Sequence, residues 1–406
     1  MRALERERPG RFLVIILTLL CTIGPVSIDM YLPAMPGLAR EFGASTGTVQ
    51  LTLSLFLTGF AFAQLIYGPL SDRFGRRPVI LAGLLVFVGA TILCAFARSI
   101  EELILARILQ ATGACAGPVL ARAVVRDLWR REDAARVLAI IAGAMAVAPA
   151  IAPVVGGWLL LVSDWRAIFW ALALFVALLL GLCVFGLRET NPHPDPLATR
   201  PGRLLANVRH ITVSRIFWGY VLTFACAYSG LFSFLSGAPF VLIELFGIPA
   251  DQFGYYFLVP VFGYMAGTLL SSRLSPRFGL DRTIGIGLAV IAIAAGSMAA
   301  LGWLRPVLPW HPGVVAIVAP IGMYMIGTGL IMPSAMAGAL GPFATMAGAA
   351  SAVMGFVQMM LGAVFGTIVG HSFDGSERAM VTALLIAALG AVAATLTLRP
   401  SQVRGS

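Results

Sequence analysis

The sequence predicts an all-α integral membrane protein with twelve transmembrane helices in two six-helix, pseudo-symmetric halves. Three observations carry this reading. Of the 406 residues, 59% are apolar and only 11% are charged, with a mean hydropathy of +0.93. A soluble domain carries about 25% charged residues, so this chain cannot cover a water-facing surface. The apolar runs are long and continuous rather than alternating ten-residue segments, which favours helices over a closed barrel. Finally, Ser71-Asp-Arg-Phe-Gly75 returns as Ser275-Pro-Arg-Phe-Gly279, 204 residues later. A repeat at half the chain length is the mark of a two-halved membrane fold with its site between the halves.

The elements follow from the requirement for about 20 apolar residues per span. The first six spans fall near 12–34, 48–71, 78–97, 102–125, 136–160 and 166–187. The second six fall near 214–240, 252–272, 283–303, 313–336, 346–370 and 378–398. Residues 1–187 form the first half and 214–406 the second. Residues 188–213, rich in proline and arginine, form the longest polar stretch and the central loop between them. The N-terminal segment has no small-residue cleavage site after a short apolar core, so the first span is read as retained.

Orientation follows from the arginines near span ends. With the N-terminus inside, twenty-one lie on the cytoplasmic side, among them Arg2, Arg6, Arg8, Arg73, Arg131, Arg399 and Arg404. Only Arg40, Arg98, Arg166, Arg305 and Arg378 lie outside. Both termini are therefore expected in the cytoplasm. This distribution accounts for the net charge of +10 without any nucleic-acid partner.

Composition excludes several chemistries. All 28 basic residues are arginine, so neither a Walker A lysine nor a Schiff-base lysine exists. The five cysteines (Cys21, Cys94, Cys115, Cys183, Cys226) sit inside apolar runs and suit packing rather than a disulfide framework. His193, His210, His311 and His371 are scattered without metal-ligand spacing. Gly43-Ala-Ser-Thr-Gly47 matches a nucleophile elbow, but it lies between two helical spans and not between a strand and a helix. Ser45 there reads as a helix-entry residue. No enzyme chemistry, cofactor or metal site is expected.

At this point the motifs carry a family resemblance. Gly68-Pro-Leu-Ser-Asp-Arg-Phe-Gly-Arg-Arg resembles the loop signature of the major facilitator superfamily. Arg107-Ile-Leu-Gln-Ala-Thr-Gly113 is similar to its fourth-span signature, with Ala111 in place of a glycine. Ala148-Pro-Ala-Ile-Ala-Pro-Val-Val-Gly-Gly157 resembles the fifth-span signature of its antiporters, with Ala152 in place of a glycine. Asp29-Met-Tyr-Leu-Pro-Ala34 and Ala347-Gly-Ala-Ala-Ser-Ala-Val-Met-Gly-Phe-Val-Gln358 resemble the Bcr/CflA drug-resistance branch. The resemblance implies proton-coupled efflux of drugs such as phenicols, bicyclomycin-like compounds or sulfonamides from the bacterial inner membrane. It implies protons, a small lipophilic drug and membrane lipid as partners, and a monomer.

Among individual residues, Asp29 is the only acid well inside an apolar run. A charge at mid-bilayer costs about 2.5–3.5 kcal/mol on insertion scales, and such residues mark proton or substrate paths. Burial and a nearby guanidinium pull a carboxyl in opposite directions, so Asp29 suits proton loading and release. Capping at an outer interface is the alternative, because Pro33 and Pro36 follow. Arg107 shares its depth, with Gln110 one turn further along the same face. The resemblance assigns Arg107 to proton coupling, and locking of helix ends is its alternative. Arg122, about 22 Å further along the helix, reads as snorkelling to the cytoplasmic interface.

Pro149, Pro153, Gly156 and Gly157 bend and thin the fifth span. They fit either a water-excluding contact between halves or an ordinary kinked helix. Tyr220, Phe224 and Tyr228 recur every fourth residue, an aromatic stripe that suits a drug cavity or packing. Tyr31, Gln110, Tyr324, Met354 and Gln358 complete the candidate cavity. The turn formed by Gly68, Asp72, Arg73, Gly75, Arg76 and Arg77 reads as a conformational gate, with Asp72 latching the halves. Two other functions fit less well: a major facilitator carrier of a polar metabolite, and a polytopic membrane enzyme or receptor.

Overall fold

A computed structural model describes residues 10–305, 307 and 313–398. Arg2, Arg6, Arg8, Arg399, Arg404 and His311 lie outside these, as does the side chain of Arg131. Apolar runs in lipid satisfy their backbone only as helices, and twelve helices long and apolar enough to span a membrane are present among the described residues.

The first half begins with α1 (Arg11–Asp29). A 3-10 turn, Leu32–Ala34, follows, and then the short α2 (Met35–Phe42). The first span thus runs on to Phe42, beyond the residue 34 expected from the sequence. Pro33 and Pro36 redirect the chain here, and residues 30–42 continue as short helical pieces instead of a loop. The helices α3 (Thr46–Phe74), α4 (Arg76–Phe96), α5 (Ile100–Leu128), α6 (Arg131–Val162) and α7 (Arg166–Gly186) complete this half. Serine caps start two of them. Ser45 Oγ accepts from the Thr48 amide at 3.2 Å, and Ser99 Oγ accepts from the Glu102 amide at 3.3 Å, each satisfying an otherwise orphaned donor.

The stretch read as a polar central loop contains a helix, α8 (Pro201–Thr212). A proline opens it, and Leu204, Val208 and Ile211 fall on one face at helical spacing. That face packs against α9 (Arg215–Pro239) and α13 (Ala347–His371) of the second half. This half also holds α10 (Ala250–Phe278), α11 (Leu280–Leu304), α12 (Val315–Leu340) and α14 (Arg378–Leu398).

The internal repeat is visible as backbone geometry. Gly75 (φ 96°) ends α3 and Gly279 (φ 83°) ends α10, each a one-residue turn into the next helix. Both turns need the left-handed region that glycine permits. Arg73 lies over Phe74 at 5.0 Å, and Arg277 repeats the contact over Phe278 at 5.3 Å.

The halves meet along two crossings, α3 with α13 and α6 with α10. At the end remote from the 68–78 turn, Gln50 donates to the Ser236 carbonyl. A Cβ at Gly47 would stand 3.3 Å from the His371 Cα. Nearer the turn, Phe62 of α3 meets Phe356 of α13 edge-on at 5.3 Å.

Candidate functional site

The site is built on the break at the end of α1. Ser27 and Tyr31 are four residues apart and face α5, while Asp29, two residues from each, points about 200° away. Arg107 of α5 is fully buried among aromatics and backbone. It donates from Nη1 to the Ser27 carbonyl (3.1 Å) and to Gln110 Oε1 (2.6 Å). Gln110 passes the chain on, donating to Thr91 Oγ1 at 2.8 Å. The guanidinium lies 4.9 Å over the Tyr31 ring and 4.3 Å over Phe56, two cation–π contacts. Its Nε and Nη2 have no partner among the described residues, and no acid pairs with it there. Tyr31 is also enclosed, sharing a hydrogen bond with Thr52 Oγ1 at 3.0 Å.

Asp29 is only 4% exposed and makes no ion pair among the described residues. It interacts electrostatically with Tyr228 of α9, across the seam between halves. Asp29 and Arg107 therefore act on opposite faces of α1 rather than as a direct pair.

Tyr228 stacks on Phe232 at 6.2 Å, and its hydroxyl points to Met359 Sδ of α13 at 3.8 Å. Phe224, one turn away, is buried. Tyr220 lies elsewhere: its hydroxyl donates to Asp281 Oδ1 at 2.8 Å, at the start of α11. It thereby ties down the second-half copy of the turn, where Pro276 replaces the acid. Tyr324 is buried inside the second half, donating to the Ala227 carbonyl at 3.2 Å above Gly230. Met354 is buried and Gln358 half-buried on α13.

The fifth-span motif sits where three elements meet. Gly156 accepts the carbonyl of Met30, just past Asp29, against its bare Cα. A Cβ at Gly157 would stand 2.7 Å from the Ala250 carbonyl oxygen and 2.9 Å from Asp251 Cα in the other half. Pro149 and Pro153 lie on the same helix, inside α6.

The sequence reading missed a matching glycine row on α13. A Cβ at Gly362 would meet Leu57 at 3.3 Å and Tyr228 at 3.1 Å, and one at Gly366 would meet Ser54 Oγ at 3.0 Å. Gly355 faces Gln64 and Gly370 faces Gln50. The four-residue spacing of Gly362, Gly366 and Gly370 is the small-xxx-small signal of close helix approach, and it was readable.

The arginine turn is tied within its own half. Arg76 Nη1 donates to Asp72 Oδ1 (2.5 Å) and Ser71 Oγ (2.5 Å), and its Nε donates to Asp127 Oδ2 of α5 (3.0 Å). Glu189 caps α4, accepting from the amides of Arg76 (2.9 Å) and Arg77 (3.1 Å). Partial burial works to raise its pKa, but amides of Asn191, Arg76, Arg77 and Thr190 outweigh that and hold it below the usual carboxylate range. Arg77 donates to the Val184 carbonyl and Arg73 to Thr199 Oγ1. Gly68 adds the Ser71 hydroxyl bond at its carbonyl, 2.9 Å. Asp72 makes no contact with the helices of the second half among these; its carboxylate pairs with Arg76 and its carbonyl accepts from the linker.

Two six-helix halves joined on bare-glycine crossings, with one buried carboxylate at their seam among the described residues, define a multi-pass membrane transporter. The chain belongs to the Major Facilitator Superfamily, whose profile matches residues 17–367. It is 31% identical over 360 residues to an uncharacterized MFS-type transporter, YdgK, of Bacillus subtilis, covering 88% of each chain. It is 29% identical over 366 residues to the bicyclomycin resistance protein homolog of Haemophilus influenzae, covering 90% of each. It is 28% identical over 347 residues to multidrug resistance protein D of Escherichia coli, covering 85% of each. These relatives agree with the drug-resistance branch. Among solved structures, the xylose transporter XylE from E. coli in a partially occluded inward-open conformation shares the fold. The TM-score is 0.74 at 14% identity, over 98% of this chain and 99% of that one.

Proposed function

We propose that the protein exports small lipophilic drugs in exchange for protons, as a monomer in a bacterial inner membrane with both termini in the cytoplasm. Asp29 carries this reading. A carboxylate buried at a helix break, with no counter-ion among the described residues, suits a group that spends part of its cycle protonated, because burying an unpaired charge is costly. It faces the seam that must open and close. Arg107, on the other face of α1, supplies a fixed positive field. Relatives named for bicyclomycin and multidrug resistance support a drug as cargo. The arginine bias supports the orientation.

In this cycle, protonation of Asp29 from outside weakens drug binding and permits release there. Inward opening and deprotonation restore affinity. Proton and drug act on one rocking equilibrium, each through its differential affinity for the two states. The cycle needs no cofactor and no enzymatic step.

The test is drug-stimulated proton movement in proteoliposomes holding only this chain. Wild type is expected to couple the two, and Asp29→Asn to lose proton movement. If Asp29→Asn cells still lower drug accumulation to wild-type levels, and do so with an uncoupler present, the coupling role of Asp29 is wrong.

A further inference from the structure

We infer that Arg122 is the residue that selects substrates by charge, and that it favours amphipathic organic anions: an apolar aromatic body bearing one acidic group. This rests on the export reading above and narrows its substrate class.

Snorkelling to the membrane surface was the role expected of Arg122. The structure gives its head group a different setting. It is exposed, with Cys21 of α1 and Cys115 of its own helix within electrostatic range. Its one described hydrogen bond is internal to α5, from Nε to the Pro118 carbonyl at 2.8 Å. Arg126 lies one turn further on the same face. A Cβ on Gly348 of α13 would stand 3.8 Å from its Nη1, so this face of α5 looks across at the second half. Arg122 therefore borders the space between the halves.

Among the described residues no carboxylate pairs with Arg122. Between Arg11 and Asp29, α1 carries no acid, and neither α9, α12 nor α13 contains an Asp or Glu. Asp127, the acid nearest on α5, is committed to Arg76. Across from this face, α13 carries no Asp, Glu or Arg. A guanidinium bordering the space between the halves, with its Nη donors unclaimed among the described residues, recognises carboxylate or sulfonate oxygens. Cys21 lies eight residues before Asp29, about 12 Å along α1. A ligand of two fused rings with its acid on Arg122 is thus shorter than the span to the level of Asp29. The same field repels cationic drugs of equal lipophilicity, which is how a charge contributes to specificity.

The test compares two singly charged aromatic probes, 8-anilinonaphthalene-1-sulfonate and tetraphenylphosphonium. Binding is measured by equilibrium dialysis against purified protein in phosphatidylcholine nanodiscs, with empty nanodiscs subtracted. Wild type is expected to prefer the sulfonate. Arg122→Gln, whose amide can still reach the Pro118 carbonyl, should lose about tenfold of sulfonate affinity, the worth of one charge-assisted hydrogen bond. Arg122→Lys should restore most of it. Arg122→Glu should reverse the preference, a gain of phosphonium binding that misfolding cannot produce. Equal sulfonate affinity in wild type and Arg122→Gln, or a retained sulfonate preference in Arg122→Glu, overturns the inference. Phosphatidylglycerol added to the nanodiscs should leave sulfonate affinity unchanged, whereas competition would assign Arg122 to lipid headgroups instead. In proteoliposomes with an imposed proton gradient, failure of wild type to move either probe would remove the export reading while leaving the binding result to stand.

Discussion

Adding one methyl group at Gly157 should unlock the seal between the halves without unfolding either of them. Gly157 of α6 meets α10 across the seam, and its Cβ would lie 2.7 Å from the Ala250 carbonyl oxygen and 2.9 Å from Asp251 Cα. Ordinary carbon contacts need roughly 3.5–4.0 Å, so the helices must part by about an ångström or lose this contact. Both obstructing atoms are backbone, so no rotamer change relieves the overlap. Overpacking of this kind costs about 1–3 kcal/mol. Because the clash is between halves, that cost falls on the conformation in which they touch here. At 1.4 kcal/mol per factor of ten, the sealed state should lose roughly 5- to 150-fold in population against its alternative. The assay is double electron–electron resonance between spin labels at the far ends of α6 and α10 in Gly157→Ala. The matched control is Gly143→Ala, on the same helix, where a Cβ meets nothing within 4 Å. The far-end distance should shorten in the first variant, as the rocking halves close on the side away from the broken seal, and not in the second. An unchanged distance in Gly157→Ala, with a melting temperature lowered beyond that of Gly143→Ala, would refute the reasoning, because the strain would then lie within one half.

Two further variants probe the charges. Arg107→Met should abolish coupled transport yet melt at or above the wild-type temperature, because the buried guanidinium has two nitrogens without partners and no acid to pair with, and an apolar replacement removes its desolvation cost; a thermal melt and a transport assay on one preparation decide this. Glu189→Gln should lower stability at neutral pH by about 1 kcal/mol at most, the scale of a helix cap, reduced by solvent screening at this partly exposed site. Its folded pKa is depressed, so the wild-type advantage is full above the unfolded value of about 4.3 and fades as pH falls through the folded one; melting curves of both proteins from pH 7 to pH 3 should converge at the acid end.

The spans and the repeat were legible because they depend on local hydropathy and on four identities within a five-residue stretch. The geometry of the site was legible only in part. Depth along a helix follows from counting residues, so Asp29 and Arg107 could be set at one level. Their faces depend on how α1 is rotated against α5, and Ser27 and Tyr31 turn out to hold that rotation through Arg107. Tyr220 obeyed the four-residue periodicity of its stripe, but the hydroxyl found Asp281, a partner 61 residues away that periodicity cannot supply. The helix at Pro201–Thr212 was obscured by arginines that dilute the apolar face of Leu204, Val208 and Ile211. The glycine row on α13 lies within reach of the four-residue spacing rule for close helix approach.

The segment joining the halves divides its allegiance. Its first part is bound to the arginine turn: the Asp195 amide and Asn191 Nδ2 both donate to the Asp72 carbonyl, at 2.9 and 3.1 Å, and Thr199 holds Arg73. Its second part, α8, lies on the other half. The covalent tether that must flex is thus shortened to the few bonds around Arg200. Across that joint runs an ion pair, Arg203 to Asp195 at 2.5 Å, with both side chains open to solvent, where water screens it and salt weakens it further. The tether therefore behaves as a short pivot with a detachable clasp. Splitting the chain at Arg200 should leave each fragment keeping its own portion of the linker, and extra residues inserted between Arg188 and Thr199 would add slack that the pivot never takes up.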